Sequence, residues 1–125
     1  MDWRLHPQIE DFFAKPGTGC DMCVTAGSVK DLIAQETQQL FLKQIEISRR
    51  LHDCQAVVLT MHMDCGAYGG AAAFADRNAE IANCKEQLDL AKKIVEQANP
   101  GLPVETYIIG LERSPEGWNI EPQLV

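Results

Sequence analysis

The apolar residues change period several times along the chain, and each change marks an element. Ile9, Phe12 and Phe13 recur at helical spacing behind Pro7, whose fixed φ suits a first helical turn, until Lys15-Pro16-Gly17 stops the segment. Residues 20–25 are a short apolar run closed by Ala26-Gly27, which reads as a strand, and Ser28 stands where it can cap a short turn. Over 36–51, Leu40, Phe41, Ile45, Ser48 and Leu51 mark one helical face, opposite Gln39, Lys43, Glu46 and Arg50; the apolar face is expected to pack on a sheet. Residues 55–61 are the best strand in the chain, because an unbroken apolar run implies burial on both faces, as a parallel sheet requires. After a glycine-rich loop, Ile81, Cys84, Leu88, Ala91, Val95 and Ala98 stripe a long helix over 77–98, ended by Asn99-Pro100-Gly101. Residues 104–109 predict a third strand ended by Gly110, and 117–120 a short edge strand behind the turn Ser114-Pro115-Glu116-Gly117.

This alternation predicts an α/β fold in one domain, 1–125, with no internal repeat, low-complexity tract or linker. A net charge of −7 and a pI near 4.8 argue against nucleic acid or an anionic membrane as partner, since either calls for a basic stripe, and leave small molecules or proteins. No apolar stretch approaches a membrane span, and the amino terminus lacks a basic segment followed by an apolar one, so the expected location is cytoplasmic. Cysteines at 20, 23, 54, 65 and 84 are odd in number and dispersed, which suits reduced thiols better than a disulfide framework.

The chemistry concentrates behind the best strand. His62 and Cys65 stand three residues apart at its carboxyl end, where open α/β sheets bind ligands, and imidazole nitrogen and thiolate sulfur are donors that Zn²⁺ prefers. Taken alone, a His-x-x-Cys pair is as often an ordinary loop histidine beside an unreactive thiol. Gly66, Gly69 and Gly70 fit neither a dinucleotide nor a P-loop fingerprint; Tyr68 is a candidate for the mouth of a metal pocket, and Asp64 for holding the turn. Cys54 and Cys84 read as packing residues, and His6 and His52 as helix-end or surface residues. Cys20-Asp21-Met22-Cys23 has redox-motif spacing, but in a strand its two thiols point to opposite faces.

His62-Met63-Asp64-Cys65-Gly66-Ala67 resembles the H-x-D-C-G motif of the β-class carbonic anhydrases, and Met1-Asp2-Trp3-Arg4 resembles that family's C-x-D-x-R motif without its cysteine. Ala26-Gly27 is similar to the core of its N-A-G-G segment, and the likeness runs more weakly through Gly110 and Gly117. The resemblance implies a three-layer fold, a parallel sheet of order 2-1-3-4 flanked by helices, from which the first strand is missing. It also implies a Zn²⁺ cofactor held by His62, Cys65 and, in place of the absent cysteine, Asp2. Asp2 and Arg4 would form the catalytic dyad, the guanidinium holding the carboxylate by a charge-assisted pair. Without the resemblance, Asp2 and Arg4 read as a surface ion pair.

The implied activity is reversible hydration of carbon dioxide to bicarbonate, or of a related heterocumulene such as carbonyl sulfide, in a homodimer or higher homo-oligomer. The alternative is a non-catalytic dimeric binding or regulatory module with a degenerate metal site. Val24, Thr25 and Ser28 depart from the family's Arg, Asn and second Gly, which alters the substrate pocket. The family's first strand and its cysteine would fall before Met1. Each buried backbone group left unpaired costs about 1–3 kcal/mol, so several rival the roughly 5–15 kcal/mol of a whole domain. Met1 is therefore expected to be an internal methionine of a longer product, or a partner chain is expected to supply the strand.

Overall fold

The computed structural model describes residues 1–6, 8–14 and 19–125; Pro7 and the expected helix stop at Lys15-Pro16-Gly17 lie outside them. A 3-10 turn at Trp3–Leu5 leads to helix α1 (Gln8–Phe13), then come α2 (Lys30–Ile33), α3 (Gln35–His52), strand β1 (Val57–His62), α4 (Arg77–Ala98), β2 (Val104–Ser114) and β3 (Gly117–Leu124).

The sheet corrects the expected all-parallel, three-layer architecture: it has three strands in the order β1-β2-β3 and is mixed. β1 and β2 are parallel, from Val57 opposite Val104 to His62 opposite Ile109, with α4 as the crossover. β2 and β3 are antiparallel, because Ser114 pairs with Gly117 and only Pro115 and Glu116 lie between them. A two-residue connection can return the chain only antiparallel; a parallel neighbour needs a dozen or more residues. Gly110 does not end β2. It sits inside the ladder opposite Glu121, where an added Cβ would come within 3.3 Å of the Glu121 Cβ, so the glycine admits a close approach between strands.

Residues 20–25 form no strand, which is a second correction. An extended apolar run becomes a strand only by pairing its backbone. Across from it, β1 is an edge strand, tethered where the Ser28 hydroxyl donates to the Thr60 carbonyl. Val58 is exposed and Thr60 half-buried, so side chains along β1 are partly open to water.

Both faces of β2 are covered. On one, Leu59, Met61, Val104 and Ile108 pack against the α4 stripe Cys84, Leu88, Ala91 and Val95. On the other, Ile109 packs with Leu5 and Ile9, with Phe13, Tyr107, Leu111 and Ile120 around them. α4 spans the expected residues; Asp76 caps it by accepting from Ala79 N at 2.9 Å, and Asn99 closes it on the Val95 carbonyl. α3 is helical as expected, yet it lies mainly on α2 rather than on the sheet. Phe41, Leu42 and Ile45 turn to the core, while Leu40 and Leu51 from the expected face are exposed. Along β3, the Gln8 amide mimics a strand: its Nε2 donates to Trp118 O at 2.7 Å and its Oε1 accepts from Ile120 N at 3.1 Å. No described helix is long and apolar enough to cross a membrane.

Candidate metal centre

β1 delivers His62 to the end of the sheet, and Met63 N continues the pairing onto Ile109 O at 2.9 Å. The chain then turns through Asp64, whose left-handed φ of 57° is unusual for a side chain other than glycine. This turn is fixed twice. The Asp64 amide donates to Glu80 Oε1 at 2.5 Å, and the Asp64 Oδ1 accepts from Ala71 N at 3.0 Å, which fulfils its expected role. Cys65 follows, buried, with its carbonyl accepting from Tyr68 N and Gly70 N.

The orientation of His62 decides what the pair can do. Its Nδ1 lies 2.8 Å from the Met63 carbonyl, which can only accept, so Nδ1 carries a proton, and Nε2 has a lone pair to offer whenever the ring is neutral. Nε2 faces the Asp2 Oδ2 at 3.6 Å, and Cys65 lines the same groove. A backbone carbonyl on Nδ1 fixes the ring, and a neutral ring so held can offer Nε2 to a metal. Burial opposes a charged Cys65, but the His62 imidazole and the N–H groups of Ala67 and Tyr68 outweigh it and lower the thiol's pKa. For His62, burial opposes the proton, while Cys65, the Met63 carbonyl and Asp2 outweigh that and raise its pKa.

Asp2 and Arg4 arrive from the other side of the sheet's end. Asp2 caps the first 3-10 turn by accepting from Arg4 N at 3.0 Å. The Arg4 side chain returns to it, Nε lying 3.0 Å from both carboxylate oxygens and NH2 2.7 Å from Oδ2. That guanidinium holds the Asp2 carboxyl down at about 2, against the opposing effect of burial, and the same contacts raise the pKa of Arg4. NH1 and NH2 extend to Asp64 Oδ2 and O, at 3.0 and 3.2 Å, and the Trp118 ring lies 5.3 Å from the guanidinium carbon.

Asp2, His62 and Cys65 thus line one groove of about 250 Å³, with Cys23, Ser28 and Thr60 on its other walls. Nitrogen, sulfur and carboxylate oxygen are a donor set that suits zinc, and the Nδ1 contact with Met63 O leaves His62 Nε2 directed into the groove. Among the described residues, no group of three or more His, Cys, Asp or Glu stands in a ready-made metal-holding arrangement. The oxygens of Asp2 face Arg4, so three-donor ligation requires that carboxylate to move toward Nε2.

The other candidates fall elsewhere. Tyr68 does not line the groove; its ring packs on the core, Lys30 Nζ lies 5.3 Å from it, and its buried hydroxyl, raised by burial to about 12, has no partner among the described residues. His52 bonds through Nδ1 to Asp21 Oδ2 at 2.7 Å on the surface. Cys84 packs in the core, where burial pushes its thiol up to about 11. Cys20 and Cys23 are exposed on the irregular segment, with no helix beginning at either. Sequence reasoning missed Glu80, a buried carboxylate beneath the loop; its signal was a charged residue one turn before Cys84 on an otherwise apolar stripe.

No family model matches the chain, and no solved structure matches it. A protein of Rickettsia bellii (strain RML369-C), described as "Uncharacterized protein", is 32% identical over 71 residues, covering 54% of this chain and 43% of that protein. The chain therefore spans less than half the length of that relative.

Proposed function

We propose that the chain is a carbonic anhydrase-like lyase that hydrates carbon dioxide reversibly with zinc, held by His62, Cys65 and Asp2. The observation that carries this reading is the His62 ring: Met63 O holds its Nδ1, and its Nε2 faces the Asp2 carboxylate beside the Cys65 thiol. When bound, zinc supplies a Lewis-acidic centre that activates water near neutral pH.

The chain's own residues have separable tasks. His62 and Cys65 present a fixed nitrogen and an acidified sulfur from a loop pinned by Glu80. Arg4 keeps Asp2 ionised and orients it, so that Asp2 offers an acceptor oxygen to the groove at neutral pH. The groove beside Thr60 and Ser28 has room for a small uncharged substrate.

The test is metal content together with stopped-flow carbon dioxide hydration. Stoichiometric zinc and measurable hydration, both lost in His62→Ala and Cys65→Ser, support the reading. A folded, zinc-free and inactive protein refutes it. That result would favour the second reading, a non-catalytic homodimeric binding or regulatory module, which has on its side the engagement of both Asp2 oxygens by Arg4.

A further inference from the structure

The segment that carries Asp2 and the loop that carries His62 and Cys65 are sixty residues apart in sequence, and one side chain joins them. Arg4 donates to both Asp2 oxygens with one edge of its guanidinium, and to Asp64 with another: NH1 to Oδ2 at 3.0 Å and NH2 to the backbone O at 3.2 Å. A guanidinium is planar and rigid, so a partner that fixes one edge also fixes the direction in which the other edge holds a carboxylate. Asp64 is well placed to be that partner, because its own amide is tied to buried Glu80 and its Oδ1 to Ala71 N.

We infer that Asp64 is a positioning residue which, acting through Arg4, holds the Asp2 carboxylate opposite His62 Nε2, within a short movement of a metal held by His62 and Cys65. This rests on the metal reading proposed above. A role confined to holding its own turn would need only the bond from Ala71 and would leave the contacts with Arg4 without consequence.

Cobalt(II), a spectroscopic stand-in for zinc, tests this on the full chain. Affinity, the visible ligand-field bands and the thiolate-to-cobalt charge-transfer band are measured for the unaltered protein, Asp64→Asn, Asp2→Asn and the double variant. Asp64→Asn keeps the side chain's shape and an oxygen for Ala71. It should weaken cobalt binding about tenfold, at the low end for outer-shell partners, and alter the ligand-field bands while the Cys65 charge-transfer band remains. In the Asp2→Asn background the same change should have no further effect beyond about twofold, since its target is already gone. Asp76→Ala, which removes the cap of α4 without touching Arg4, is the control for simple loss of stability and should leave the spectrum unchanged. If Asp64→Asn fails to fold, Arg4→Lys is compared with Asp2→Asn in the same way, because one ammonium cannot grip both carboxylates.

Additive losses in the double variant, an unaltered spectrum and affinity in Asp64→Asn, or an equal spectral change in Asp76→Ala would each overturn the inference while the metal reading stands. If the unaltered chain binds no cobalt, the metal reading falls and this inference falls with it.

Discussion

Replacing Arg4 with glutamine removes a charge at the junction of Asp2 and Asp64 and leaves a shorter, neutral amide whose nitrogen stands near the position of Arg4 Nε. In the folded protein the Asp2 carboxyl is lowered from its ordinary 3.8 to about 2, chiefly by hydrogen bonds from Arg4. At about 1.4 kcal/mol per pH unit, that difference corresponds to about 2.5 kcal/mol. Asp2 and Arg4 are partly open to water, with side chains 18% and 16% exposed, and screening brings the expected contribution to about 1–2 kcal/mol. The contact with Asp64 adds little, since that side chain is more than half exposed. Because the folded-state value is the lower one, the contribution is complete above the ordinary carboxylate value and is lost as pH falls through about 2. Urea unfolding of both proteins, followed by far-ultraviolet circular dichroism from neutral pH down to about pH 2, measures it. Arg4→Gln should be about 1–2 kcal/mol less stable at neutral pH, with the gap closing between about pH 4 and pH 2. A gap that stays constant over that range would show that the Asp2–Arg4 pair does not control it, and would refute the argument.

Glu80→Ala leaves the Asp64 amide without its buried acceptor; it should cost about 1–3 kcal/mol in urea unfolding and weaken metal binding at the loop, measured by isothermal titration with zinc. Leu88→Ala opens a cavity at the centre of the α4 stripe and should cost about 2–5 kcal/mol by the same unfolding assay. In metal-free protein at neutral pH, iodoacetamide should modify Cys65 well before Cys84, because His62 and backbone N–H groups favour one thiolate and burial disfavours the other; peptide mass mapping over time reads the order.

Much of the scaffold was legible because it is local. The α4 stripe repeats over six turns with Asn99-Pro100-Gly101 behind it, and its bounds follow from those signals. The two residues between Ser114 and Gly117 already demanded an antiparallel return; treating Gly110 as a terminator shortened β2 and hid the full hairpin with it. Residues 20–25 misled because a short apolar run states what a segment could do if a neighbour paired with it, and no described neighbour does. His62 and Cys65 were readable from their spacing and their place behind β1. That Asp2 meets them could be expected only from a resemblance, and the link from Arg4 to Asp64 crosses sixty residues, a distance at which no pattern along the chain carries information. Glu80 escaped because a buried carboxylate is justified by the single amide it receives, which only the folded chain supplies.

The amide of Gln8 has a bearing on how copies of this protein meet. By occupying Trp118 O and Ile120 N it stops the outer flank of β3 from recruiting a foreign strand, and Pro122, facing the same side, has no N–H to offer. The flank of the sheet left open to a pairing strand is thereby the opposite one, along Val57–His62, beside the residues proposed to bind metal.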